Sequence, residues 1–147
     1  MKPSELEMQA GGCVCKKVRY SLIGSPLRVT ICHCTWCQRR TGSAFGVELV
    51  FHEDQVLFHP DTLSVYRHIS DESGRWLDQH FCNNCGSSIG LTLESVPSIQ
   101  SISVGTLDKQ NWSELTNLER RHVFVRSARQ WSDIPGDVEQ YEEHFRN

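Results

Sequence analysis

Three short clusters hold every cysteine of the chain: Cys13-Val14-Cys15, Cys32-His33-Cys34-Thr35-Trp36-Cys37 and Cys82-Asn83-Asn84-Cys85. Thiols one or two residues apart suit a shared cation better than disulfides, because neighbouring thiolates can reach one ion without closing a strained ring. Seven cysteines are also an odd number, so they cannot all pair within the chain. Four thiolates complete a tetrahedral zinc site, and the remaining three leave one position of a second site for something else. That difference, closed against open, separates a structural zinc from a catalytic one.

Strand geometry divides the seven. Residues two apart in extended backbone point the same way, so Cys13 faces with Cys15 and Cys32 with Cys34, which leaves His33 on the opposite face. Cys37 follows after a turn and can fold back onto the second pair. Cys82-x-x-Cys85-Gly86 reads as a zinc knuckle, with Gly86 able to take the positive φ that such a turn favours. The economical partition assigns Cys13, Cys15, Cys82 and Cys85 to a closed, structural zinc site, tying the N-terminal strand to a distant hairpin.

Cys32, Cys34 and Cys37 remain as a local set with no fourth cysteine. Two readings compete there. In one, a histidine completes a structural Cys₃His site, and His80 is better placed for this than His33 because it shares a strand face with Cys82. In the other, the zinc is catalytic and its fourth position takes water or substrate. Three thiolates weaken the pull of zinc on a bound water and favour exchange for another thiolate. Zinc deaminases also use three cysteines, but they need a glutamate two residues after the first ligand. Cys34 stands at that place with no nearby carboxylate to replace it, so deamination is set aside.

The elements that must position these ligands read mostly as strands. Short β-prone runs recur at Val18–Ile23, Leu27–Cys34, Phe45–Phe51, Leu63–His68, Arg75–Cys82, Ile89–Leu93, Ile99–Val104 and Val123–Val125, separated by turn formers such as Gly24-Ser25-Pro26 and Ser73-Gly74. Helical periodicity is confined to Thr35–Arg40, Trp112–Leu118 and Val138–His144. The rhythm argues for a mainly-β domain of several small sheets, with short helices.

A chain of 147 residues can bury a core of its own. It reads as a polar N-terminal lead at 1–10, one zinc-binding domain at 11–135, and a C-terminal tail or short helix at 136–147. The net charge of -3 becomes more negative once thiolates bind divalent ions, which argues against a nucleic-acid partner. No stretch approaches the roughly 20 apolar residues of a membrane span. The start Met1-Lys2-Pro3-Ser4-Glu5-Leu6 lacks the apolar run of a signal peptide. Clustered reduced thiols without an export signal point to the cytoplasm.

Read with their flanks, the clusters resemble the glutathione-dependent formaldehyde-activating enzyme family, which includes centromere protein V. The matching stretches are Gly11-Gly12-Cys13-Val14-Cys15 with Val18-Arg19-Tyr20, then Cys32-His33-Cys34-Thr35-Trp36-Cys37-Gln38-Arg39-Arg40-Thr41-Gly42-Ser43. Phe81-Cys82-Asn83-Asn84-Cys85-Gly86-Ser87, Gly105-Thr106-Leu107-Asp108 and His122-Val123-Phe124-Val125 leading to Trp131 complete it. The resemblance implies a mainly-β fold of several small coiled antiparallel β-sheets organised around two zinc ions per chain, structural at Cys13, Cys15, Cys82 and Cys85 and catalytic at Cys32, Cys34 and Cys37. The implied activity is that of a carbon–sulfur lyase, the reversible joining of glutathione and formaldehyde to S-hydroxymethylglutathione. Lys16 departs from the pattern, standing where the family usually has Gly, and the chain is short for the founding enzymes.

The carboxylates of a thiol such as glutathione call for cations. Arg39 and Arg40, directly after the last ligand, are the expected partners, and Ser43 is a further donor to substrate. Trp36 is expected to pack beside the metal, and Trp131 with the His122–Arg126 run to close the core. The alternative function is a zinc-stabilised binding module with both metals structural; redox or metal buffering by the three-cysteine set is a third.

Overall fold

The computed structural model of the chain describes residues 8–59, 63–109 and 118–144. Its strands are β1 (Met8–Gly12), β2 (Arg19–Ile23), β3 (Arg28–Cys32), β4 (Gly46–His52), β5 (Val56–His59), β6 (Leu63–Ile69), β7 (Trp76–Cys82), β8 (Ser88–Leu93), β9 (Ile99–Ser103), β10 (Arg120–Val123) and β11 (Glu139–Gln140). One α-helix, α1 (Thr35–Thr41), is present among the described residues. The fold is mainly β, as the spacing of β-prone runs and turn formers implies.

The strands form two sheets rather than several small ones. The smaller has the order β1-β2-β5, and the larger runs β11-β10-β3-β4-β9-β8-β7-β6. All neighbours are antiparallel except β10, which lies parallel to both β3 and β11. Burial alternates along β2, β3 and β9 with the period of a pleated strand. The inward residues Tyr20 and Leu22 of the small sheet meet Leu49, Phe51, Ile89 and Ile102 of the large one in a single core. Each such side chain contributes about 1.5–3 kcal/mol by leaving water. Cys13 and Cys82 belong to the same core, so one cysteine cluster is built into the seam between the sheets.

Some boundaries differ from those expected. The polar lead already contains a strand, because β1 begins at Met8 and pairs along its length with β2. β5 was not among the expected runs. The helix expected at Val138–His144 is absent: Glu139–Gln140 is a strand, and Tyr141 N–H donates to the His122 carbonyl at 2.9 Å. Phe124 and Val125 N–H groups in turn donate to Glu143 and Tyr141, so the tail finds its backbone partners beside β10 instead of within a helix. The helix expected at Trp112–Leu118 lies, apart from Leu118, outside the described residues. Trp131, expected in the core, is 75% exposed. It lies within the turn closed by Ser132 N–H donating to the Arg129 carbonyl at 2.9 Å, which leaves the ring on the surface.

Candidate metal centres

Two turns bring the first set together. After β1, Cys13 accepts through Sγ from Val18 N–H at 3.2 Å, and Lys16 N–H donates to the Cys13 carbonyl at 3.1 Å. After β7, Cys82 Sγ accepts from the N–H groups of Asn84 and Cys85, both at 3.4 Å, and Gly86 closes the knuckle at φ 80°. Backbone N–H groups aimed at sulfur favour thiolates. Ser87 joins the two turns, since its hydroxyl accepts from Val14 N–H at 3.1 Å and lies 3.1 Å from Cys85 Sγ. That hydroxyl holds Cys85 down at about 5.

The four sulfurs lie within 4.8 Å of one another. Cys13 Sγ is 3.5 Å from Cys15 Sγ, which is 3.7 Å from Cys82 Sγ. A tetrahedral zinc with sulfur at about 2.3 Å requires edges of about 3.8 Å. The donor set therefore fits a metal ion, with Cys13, Cys15, Cys82 and Cys85 as the ligands.

The flanking motifs knot the same region. Tyr20 Oη lies 2.7 Å from Thr106 Oγ1, and Asp108 N–H donates to the Ala10 carbonyl at 2.9 Å. Arg19 grips Asp108 through both guanidinium Nη atoms. Gly11 cannot carry a side chain here, because a Cβ would stand 2.2 Å from Tyr20 Oη and 2.3 Å from the Thr106 carbonyl oxygen. Gly11-Gly12, Val18-Arg19-Tyr20 and Gly105-Thr106-Leu107-Asp108 are thus scaffold residues for the four-cysteine set.

The second set forms where β3 runs into α1. Cys32 ends the strand, Cys34 caps the helix by accepting from Cys37 N–H at 3.3 Å, and Cys37 sits in its first turn. Their sulfurs also lie within 4.8 Å of one another. Hydrogen bonds from the Cys32 and Cys37 thiols push Cys34 down to about 3, while the bond with Cys34 drives Cys32 up. Sharing protons in this way is how three close sulfurs behave until a cation takes the protons' place. Thiolate donors in this number fit a soft or borderline divalent metal.

All seven histidines are among the described residues, and none joins either cysteine set. His33 points away as strand alternation requires; it is fully buried, 2.9 Å through Nε2 from His122 Nδ1, and both rings are held below the usual histidine range by burial. His80, the proposed fourth ligand of a Cys₃His site, instead meets Thr92 Oγ1 at 2.9 Å and stacks on Phe58.

The three expected substrate residues separate. Arg39 and Ser43 line a cleft of about 400 Å³ together with Thr35, Gln38, Gly42 and Arg129. Thr35, Gln38, Arg39 and Gly42 share a helix face by their three- and four-residue spacing. Arg40 projects from the other side of α1, where Nη2 donates to Glu48 Oε1 at 2.6 Å and reaches Cys37 Sγ at 3.7 Å. Trp36 packs beside the site as expected, stacked on His68 of β6 at 5.5 Å.

Sequence reasoning missed Arg129, Gln38 and Glu48. Gln38 Nε2 donates to the carbonyls of His33 at 2.8 Å and Ser127 at 3.0 Å, and its Oε1 accepts from Arg129 Nε at 2.7 Å. Nothing local marks Arg129, which is 91 residues from Gln38. Glu48 did leave a signal, a carboxylate within the apolar run Val47-Glu48-Leu49-Val50-Phe51.

A family model described as glutathione-dependent formaldehyde-activating enzyme matches residues 8–127. No curated protein gives a significant match. A solved structure of a Rhodobacter sphaeroides protein is similar with a TM-score of 0.56 and 19% identity, over 76% of this chain and 98% of that one. At that identity the likeness bears on the fold alone. Among the described residues no helix is long and apolar enough to cross a membrane.

Proposed function

The chain belongs to the glutathione-dependent formaldehyde-activating enzyme family, and from that premise we propose that it is a zinc-dependent carbon–sulfur lyase acting on a thiol–aldehyde adduct such as S-hydroxymethylglutathione. The observation that carries the proposal is the three-cysteine set, to which no histidine of the chain and no described carboxylate adds a fourth ligand. Cys13, Cys15, Cys82 and Cys85 hold the structural ion, and Cys32, Cys34 and Cys37 the catalytic one. Zinc bound by these three sulfurs would supply the positive charge that keeps a thiol deprotonated beside an aldehyde.

The reaction itself is redox-neutral. In the joining direction the thiol sulfur bonds to the carbonyl carbon, the π electrons move to oxygen, and the sulfur's proton ends on that oxygen. What the chain contributes is placement. Arg39 and Ser43 hold the carboxylates of the thiol in the cleft along α1, joined by Arg129, whose guanidinium Gln38 fixes. Thr35, which lines that cleft, adjoins the ligand Cys34, so the two halves of the site meet at the first turn of the helix. Arg40 serves the metal side. Reduced thiols of this kind suit the cytoplasm.

The test is exchange of labelled formaldehyde into glutathione followed by NMR. The zinc-loaded protein is expected to accelerate it, and Cys34→Ala to abolish the acceleration. Arg39→Ala and Arg129→Ala should each raise KM for glutathione by about tenfold, with no change for 2-mercaptoethanol, which has no carboxylate. A loaded protein no faster than solution would leave the binding-module alternative in place.

A further inference from the structure

Arg40 comes three residues after Cys37, yet its guanidinium lies inside the molecule. Its side chain is 2% exposed and that of Glu48 is 5% exposed. Ser103 Oγ donates to Glu48 Oε2 at 3.2 Å, which anchors the carboxylate to β9. The Trp36 ring covers the guanidinium, with its centroid 5.4 Å from Cζ. β4 opens with Gly46, where a Cβ would stand only 2.7 Å from Arg40 Nη2, so a side chain is missing where the guanidinium needs room. Arg40 Nε and Nη1 are buried and find no hydrogen-bond partner among the described residues.

For stability alone this is a poor arrangement. Replacing a buried ion pair by apolar side chains is often neutral or stabilising, and unsatisfied donors add to the cost of keeping it. The neighbouring cysteines supply a reason. Three thiolates carry more negative charge than one divalent ion cancels, and Arg40 is the cation beside Cys37. Glu48 and Ser103 fix the guanidinium in place, so the N–H that reaches sulfur has a defined direction. Hydrogen bonds to a metal's ligands orient them and tune the metal, and losing one changes affinity or activity by about 10–100-fold.

We propose that Arg40, clamped by Glu48 and Ser103 and covered by Trp36, is the positioning residue of the Cys32, Cys34 and Cys37 metal site, orienting Cys37 Sγ and balancing the charge of the three sulfurs. This rests on the metal-binding part of the proposed function and not on its substrate.

The test loads the full chain with Co²⁺ and reads the affinity of each site by chelator competition on the thiolate-to-metal charge-transfer bands. The double variant R40M/E48L removes both charges while keeping apolar volume, so it is expected to fold as well as the parent. One of its two sites is expected to lose affinity by about 10–100-fold, while the other site and the unfolding of the singly loaded protein stay unchanged. Arg40→Lys, which keeps the charge and one donor, should restore part of the loss. Two sites of parental affinity in R40M/E48L would overturn the proposal, and so would loss of both metals together or of the fold, which would make the pair a piece of scaffold. No thiol is present in the assay, so failure of the substrate reading would leave its result untouched.

Discussion

Lys16 holds φ at 70°, in the left-handed region that side chains resist, at the turn following Cys15. Its counterpart in the other knuckle is Gly86, at φ 80°. Lys16 N–H closes its turn on the Cys13 carbonyl and Gly86 N–H closes the longer one on the Cys82 carbonyl, so both turns end in left-handed backbone, one at the residue the geometry favours and the other at a lysine. Left-handed backbone costs a residue with a Cβ about 1–2 kcal/mol, offset in part by the greater chain entropy that glycine loses on folding. Lys16→Gly is therefore expected to stabilise the metal-loaded protein by up to about 1 kcal/mol, read from the denaturant midpoint. A lower midpoint would mean that the lysine side chain supports the turn. The departure from the family pattern at this position thus bears on the turn's strain, with both cysteines still in place. The histidines show the same discipline: strand alternation sent His33 away from the sulfurs, and the structure pairs it with His122.

At the scale of elements, the knuckles matter through the strands they join. Cys82 ends β7 and Cys13 follows β1, so one ion would tie the small sheet to the large one at their shared core. Cys34 and Cys37 only shape the start of α1. Cys82→Ala should accordingly lower the thermal midpoint of the whole protein, because structural zinc binding is coupled to folding. Cys34→Ala should lose about one metal ion and stay folded by circular dichroism; equal unfolding of the two variants would refute the division of labour. Much of this framework was legible in the chain. The β-branched runs of β3, β4 and β9 declare themselves, and the cysteine spacing announces both sets and the turn into α1. The rest depends on partners far away in sequence. β1, with Gly11-Gly12 at its end, looks like a loop until Tyr20 and Thr106 explain the missing side chains. β11 has two residues and exists only because β10 offers an edge. Arg39 and Arg40 are neighbours in sequence, and only the helix turn sends one to the cleft and the other to Glu48.

Across the whole molecule, the large sheet curls back on itself. β3 delivers Cys32 near one end of the strand order and β6 lies at the other end, yet Trp36 beside the site stacks on His68 of β6. Arg126, after β10, grips Glu72 in the turn beyond β6 through both carboxylate oxygens. The three-cysteine set therefore sits between the ends of one sheet, whereas the four-cysteine set sits at the seam between two. On the proposed reading, a metal at the seam would be committed to the fold, and one between the sheet ends would have three protein sulfurs and a position to spare. In the proposed function this spare position takes a thiol. The most direct measurement of that is zinc per chain, followed by X-ray absorption at the zinc edge during titration with glutathione. Two zinc ions are expected, with a rise in average sulfur coordination as one of them accepts the added thiol. A second zinc indifferent to glutathione, or one already carrying a histidine nitrogen, would contradict that reading.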